Sequence, residues 1–248
     1  MPRAGSTLIE QILASHSMVE GTMELPDIPA MALREGNDAD WIDALAGFSA
    51  EDLERLGAEF MERTRIQRKT DKSFFIDKLP NNWNYLAFIR LILPNAKIID
   101  ARRHPLDCCF SNYRQHFAKG QAFSYDLAHL GQYYADYVRL MAHFDAVAPG
   151  SVYRVIHEQL LENPEGEIRT LLAFLGLPFE ESCLNFHQNK RAVRTASSEQ
   201  VRRPINRDGV GYEATEWRAH CRTWAAARRQ GRVNMLQAVP HTPPHQDG

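Results

Sequence analysis

The sequence predicts an α/β fold, a parallel sheet flanked by helices, and three observations carry that prediction. Ser73-Phe-Phe-Ile-Asp-Lys78-Leu-Pro80 is a short apolar run ended by proline, the form of a buried parallel strand. Helical spacing follows over Trp83–Leu93, and Ala96-Lys-Ile-Ile-Asp-Ala101 reads as a second strand, so the three together make a βαβ unit with a right-handed crossover. A glycine-containing turn at the start of the chain runs straight into a further amphipathic helix, as phosphate-binding turns do.

That turn is Pro2-Arg3-Ala4-Gly5-Ser6-Thr7-Leu8, and Leu8, Ile9, Ile12 and Leu13 recur behind it at helical spacing. The helix would aim its free N–H groups and the positive end of its dipole into the turn. Gly5 lets the backbone approach a ligand, Ser6 and Thr7 add hydroxyl donors, and Arg3 offers a bidentate fork, so the residues describe an anion site. No lysine stands before Ser6-Thr7, which separates this turn from the GxxxxGK[ST] form of nucleoside triphosphatases.

Met18–Pro29 reads as a turn-rich connection. Its Glu24 would emerge near the anion site, where a carboxylate has a use if it handles a proton. Residues 38–70 read as a helical insert to which no chemistry is assigned, with Trp41, Ile42, Leu45, Leu53, Leu56, Phe60 and Met61 as its apolar positions. The strand at Ser73 delivers Asp77 and Lys78 at its carboxyl end. The second strand empties into Arg102-Arg103-His104-Pro105, and a helix runs from Pro105 to about Phe117 with proline in its first turn. Arg103 at the strand tip and Ser111 two turns into the helix could grip a second anion.

Tyr125–Val147 is a long aromatic-rich helix, Ser151–Ile156 a third strand ending at His157-Glu158, and Ile168–Leu175 a helix stopped by Gly176. Residues 190–218 turn basic without helical or strand period and suit a lid over an anionic ligand; residues 225–248 read as an irregular tail, leaving 1–224 as the α/β domain.

Composition bounds the partners. The formal net charge is −2, with no electropositive surplus to hold a nucleic acid, so an anion must be held by local residues. No apolar run approaches the length of a membrane span, and no secretory leader is read; the expected cytoplasmic location follows from the cysteines, which read as reduced thiols. Cys108, Cys109, Cys183 and Cys221 follow no zinc spacing and read as reduced thiols.

Taken together, these segments resemble the sulfotransferases that use 3′-phosphoadenosine 5′-phosphosulfate (PAPS), in particular the bacterial TPR-associated branch related to tyrosylprotein sulfotransferases. Pro2–Leu8 is similar to their PRSGTTL-type loop, which takes the 5′-phosphosulfate. Arg103-His-Pro-Leu-Asp-Cys-Cys-Phe-Ser111 is similar to their RxPxDxxxS-type segment, which takes the 3′-phosphate. Ala192–Ile205, containing Ser197 and Arg203, is close to their late active-site segment.

The resemblance implies a P-loop-like sheet, and Arg3, Ala4, Gly5, Ser6, Thr7, Leu8, Arg103, Ser111, His157, Ser197 and Arg203 as cofactor-binding residues. It implies Glu24 as general base, with Lys78 and Arg3 supplying positive charge to the transferring group and leaving phosphate. It requires no metal. Ala4 replaces the family's loop serine, His157 stands where an aromatic residue is common, and Gly211 and Trp217 interrupt the closing segment. The strand that precedes the loop in the family is missing from this chain, which begins at Met1 inside the motif, so a truncated product is expected.

The function so implied is sulfuryl transfer from PAPS to a hydroxyl acceptor, with peptide tyrosine, carbohydrate and small phenol all fitting, and a homodimer as the candidate assembly. Two alternatives stand beside it: a degenerate or truncated nucleotide-binding module without turnover, and a nucleotide kinase-like phosphotransferase using Asp77 or Asp100 for Mg²⁺.

Overall fold

The computed structural model describes residues 1–36, 41–117, 120–193, 195 and 198–205. Ser197, Cys221, the closing Gly211 and Trp217, and the tail 225–248 lie outside the described residues.

Helix α1 (Ser6–Leu13) starts directly after the turn, and its apolar stripe of Ile9, Ile12 and Leu13 enters the largest core. There it meets Val19, Val155, Leu160, Ile168, Leu171 and Leu172, side chains drawn from two separate strand pairs and two later helices. The strands are β1 (Val19–Gly21), β2 (Phe74–Ile76), β3 (Ile98–Arg102) and β4 (Val152–Ile156). β1 pairs in parallel with β2 in the register Val19↔Phe74, and β3 with β4 in the register Ile98↔Val152.

Helices α2 (Asp27–Glu35), α3 (Trp41–Leu45) and α4 (Ala50–Arg63) lie between β1 and β2, and α5 (Leu86–Ile92) between β2 and β3. α4 starts on a capping box in which Ser49 Oγ accepts from Asp52 N–H and Asp52 bonds the Ser49 backbone. Ile28, Met31, Leu56, Phe60, Phe88 and Ile92 form the core that joins α2, α4 and α5. The long helix α7 (Leu127–Val147) lays Leu130, Tyr137 and Met141 against Met1, Ala4, Leu86 and Cys108, the last from α6 (Pro105–Arg114). α8 (His157–Glu162) and α9 (Pro164–Leu175) follow β4, and α9 ends on Gly176 in the left-handed conformation. No helix among the described residues is long and apolar enough to cross a membrane.

Three expectations are corrected. Met18–Pro29 is not all connection: it holds β1 and the start of α2. The two prolines concealed α2, yet Pro26 is its N-cap and Pro29 lies in its first turn, where no backbone donor is needed. β1 was hidden by its central Glu20, whose buried carboxylate accepts hydrogen bonds from the Lys69 and Thr70 backbone N–H groups and the Thr70 hydroxyl. β2 and β3 fall in two separate two-stranded parallel sheets, β1-β2 and β3-β4, and not in one sheet as a βαβ unit; nor is β2 wholly buried, with Phe74 46% exposed.

Each parallel strand delivers a residue at its carboxyl end, the end where ligands bind in such sheets. β1 leads to Glu24, β2 to Asp77 and Lys78, β3 to Arg103 and β4 to His157.

Candidate active site

Two residues of the opening turn have left-handed backbones, Arg3 at φ 61° and Gly5 at φ 97°. For Gly5 this conformation carries no steric cost, whereas for Arg3 it costs on the order of 1 kcal/mol that the surroundings must offset. The double reversal curls the turn so that the Gly5 carbonyl accepts from the Leu8 and Ile9 N–H groups, opening α1. It also sends Arg3 Nε to Ser111 Oγ at 3.0 Å. Ser111 lies on α6 and is only 4% exposed. The two segments that the sequence reads as anion sites are thus in contact.

His157 closes the turn from the other side. A Cβ placed on Gly5 would lie 2.7 Å from His157 Nδ1, so the ring occupies the space that glycine leaves open. Burial, aided by the positive charge of Arg103, pushes the His157 pKa down to about 4, and its Nδ1 has no hydrogen-bond partner. A neutral imidazole therefore faces the turn near neutral pH. Ala4 is buried in the α6–α7 core, Leu8 packs on the α1 core, and Tyr134 OH donates to the Arg103 carbonyl at 3.0 Å.

The second cluster gathers where β1 and β2 end. Lys78, 7% exposed, donates from Nζ to Glu24 Oε1 at 2.5 Å, and its ammonium lies 4.0 Å from Glu10 Oε2. Parallel pairing of β1 with β2 makes this approach local, and the Thr22 hydroxyl bonds the Ile76 carbonyl at 2.5 Å as the strands part. Asp77, beside Lys78, is half-buried and accepts from Asn82 Nδ2 and the Leu25 N–H; desolvation raises its pKa to about 7.

Glu24, Lys78, Glu10, Thr22 and Arg191 line a cavity of about 600 Å³, as does Thr195. The turn residues Arg3–Leu8, Arg103, Ser111 and His157 lie outside its lining, but α1 joins the two regions through the Thr7 Oγ1 to Thr195 Oγ1 contact of 3.2 Å. Arg203 is exposed at the end of a short 3₁₀ turn. Ser197 lies outside the described residues. Sequence reasoning missed Glu10 and Arg191; the signal available was a single carboxylate set inside the apolar repeat of α1, where it is 3% exposed. Cys108 is wholly buried and Cys109 partly so, and burial pushes their thiols up to about 12 and about 11.

Comparison with known proteins bears on the family and the fold. The sequence matches the model of the sulfotransferase family over residues 1–181. It is 36% identical over 231 residues to an uncharacterized protein of Aquifex aeolicus, covering 89% of this chain and 30% of that protein. It is 25% identical to a putative protein-tyrosine sulfotransferase of Caenorhabditis briggsae, covering 76% of this chain and 67% of that one. In fold it is similar to the sulfotransferase domain from the curacin biosynthetic pathway, with a TM-score of 0.59, 17% identity, and coverage of 89% and 94%. The chain therefore spans less than a third of the length of its Aquifex relative.

Proposed function

This chain belongs to the sulfotransferase family, and on that premise we propose that it transfers a sulfuryl group from PAPS to a hydroxyl acceptor, with Glu24 as general base. The observation that carries the proposal is the 2.5 Å contact between Glu24 and Lys78 at the wall of the cavity. When bound, PAPS supplies a sulfuryl group activated by a phosphate leaving group.

The residues fit such a donor. Gly5 lets the turn pack directly against the His157 ring, where a Cβ would come within 2.7 Å of Nδ1, and α1 presents its N–H groups behind Ser6 and Thr7. Arg3 and Ser111 touch, so one of them can serve each phosphate of a doubly phosphorylated nucleotide, with Arg103 as the strand-end partner of Ser111.

In the transfer step Glu24 would accept the acceptor's hydroxyl proton as the new O–S bond forms. Lys78 would donate to the bridging oxygen as the old S–O bond breaks, with Arg3 neutralising the non-bridging oxygens. An in-line displacement of this kind needs positioning and charge more than covalent help from the protein. The 41% exposure of the Glu24 side chain leaves it open to an acceptor from the cavity.

The test is incubation with ³⁵S-labelled PAPS and a panel holding a tyrosyl peptide, a small phenol and a carbohydrate, with ATP and Mg²⁺ in parallel. Label in any acceptor supports the proposal and names the acceptor class. Tight binding of adenosine 3′,5′-bisphosphate with no labelled product would mean a nucleotide-binding module. Tighter binding and use of ATP would mean a phosphotransferase.

A further inference from the structure

Glu10 is the one carboxylate on α1, and its two oxygens face two different cations. Oε2 lies 4.0 Å from Lys78 Nζ, and Oε1 lies 3.0 Å from Arg191 Nη1. With Lys78 held to Glu24 on its other side, four charges run in alternation from Glu24 through Lys78 and Glu10 to Arg191. The two inner members are buried, Lys78 at 7% and Glu10 at 3% exposure, where an unbalanced charge is costly and neighbouring charges interact strongly.

Arg191 does not come from the same part of the chain. It arrives on the stretch after the 3₁₀ turn Phe186–Gln188, and one face of α1 receives that stretch along its length. Gln11 Nε2 donates to the Phe186 and Asn189 carbonyls, Asn189 Nδ2 donates to the Ala14 carbonyl, and Thr7 meets Thr195. The guanidinium also donates from Nη1 to the Thr22 carbonyl at 3.2 Å and lies over Gly21, where a Cβ would come within 2.8 Å of it. Among the described residues its Nε and Nη2 and the Glu10 Oε1 that it faces are buried without a hydrogen-bond partner, so the link is an ion pair alone, and Glu10 is the one ion-pair partner of Arg191 there.

We propose that Glu10 is a positioning residue for Lys78, and that Arg191 sets how strongly it acts; the role rests on the transfer reaction proposed above. Glu10, 4.0 Å from the Lys78 ammonium, offsets part of its charge, which leaves the Glu24 carboxylate 2.5 Å away less tied up by its cation. Arg191 in turn divides the charge of Glu10, so that Lys78 is not drawn wholly onto α1. The seating of residues 186–193 against α1 is thereby coupled to the geometry of the reacting pair. This coupling gives the basic stretch a use beyond covering the ligand.

The experiment is a double-mutant cycle of Glu10→Gln and Arg191→Gln, read as kcat, donor KM, affinity for adenosine 3′,5′-bisphosphate, and urea midpoint. Each single variant is expected to lower kcat about tenfold, a typical size for groups in one charged network, with donor KM and bisphosphate affinity within about twofold. Because Arg191 acts through Glu10, the double variant should match Glu10→Gln alone, about tenfold below wild type and not about a hundredfold. The double variant also removes one charge of each sign, which protects folding.

Multiplicative losses in kcat, or kcat unchanged in folded single variants, would overturn the inference, the second outcome leaving Glu10 a structural role only. Additive changes in the urea midpoints would overturn it without reference to turnover. A wild-type protein that transfers no label rejects the proposed function and the positioning role with it, while the urea cycle still reports whether the Glu10–Arg191 link exists.

Discussion

Arg3 Nε donates to Ser111 Oγ over 3.0 Å, joining the first turn of the chain to a helix more than a hundred residues later. If Ser111 and Arg103 hold a 3′-phosphate, the Arg103→Ala protein should lose about 1.5–3 kcal/mol of affinity for adenosine 3′,5′-bisphosphate, the range for hydrogen bonds to charged groups. Ser111→Ala should also weaken Arg3's hold on the turn. Calorimetric titration checks both, and wild-type affinity in Arg103→Ala would remove that residue from the site.

The turn also predicts a steric effect that can be separated from charge. Gly5→Ala puts a methyl 2.7 Å from His157 Nδ1 and asks a residue with a Cβ to hold φ 97°. Nucleotide affinity and stability should both fall, the backbone part alone by about 1 kcal/mol or more. Adding His157→Ala relieves the clash but not the backbone strain, so the pair should recover only part of the loss. Full recovery would mean that the left-handed turn is not required.

Much of the layout was legible in the sequence, and the exceptions have local causes. Gly5-Ser6 marks the start of α1, Pro105 marks α6, and the apolar runs at Ile98 and Val152 became β3 and β4. β1 was not legible, because three residues are too few for a periodic signal and the middle one, Glu20, finds its partners at Lys69 and Thr70, far along the chain. Arg103, Ser111, Glu24 and Lys78 were expected at the site from motif and strand-end position. Glu10 was not, since a carboxylate in an amphipathic helix reads as surface until Arg191 and its neighbours are folded over it.

Two half-buried groups predict opposing pH effects on stability. His157 falls to about 4 from an ordinary 6.5, so the unfolded chain binds the extra proton between those values and stability should rise with pH across that window. Asp77 rises to about 7 from 3.8, so the folded chain binds the extra proton and stability should fall as pH rises from about 4 to 7. Asp77→Asn removes the second effect. Urea midpoints at a series of pH values should show the variant gaining on wild type from pH 4 upward, with little difference below; a constant offset would show that Asp77 titrates normally.

The last prediction concerns Glu24. Its carboxylate contacts Lys78 and opens on the cavity, while the turn that would take the nucleotide lies outside the cavity lining. A base acting only on the acceptor hydroxyl should therefore be separable from nucleotide binding. Glu24→Gln keeps the size and the hydrogen-bonding reach but removes basicity, and turnover should drop by about 10²–10⁴-fold, the usual contribution of a positioned general base. Affinity for adenosine 3′,5′-bisphosphate should change little. Turnover at the wild-type level would exclude Glu24 as the base. A parallel collapse of nucleotide affinity would instead assign Glu24 to holding Lys78 in place for the donor. The complementary Lys78→Met variant distinguishes the partners, because a residue that donates to the leaving phosphate should lower turnover and weaken nucleotide binding together.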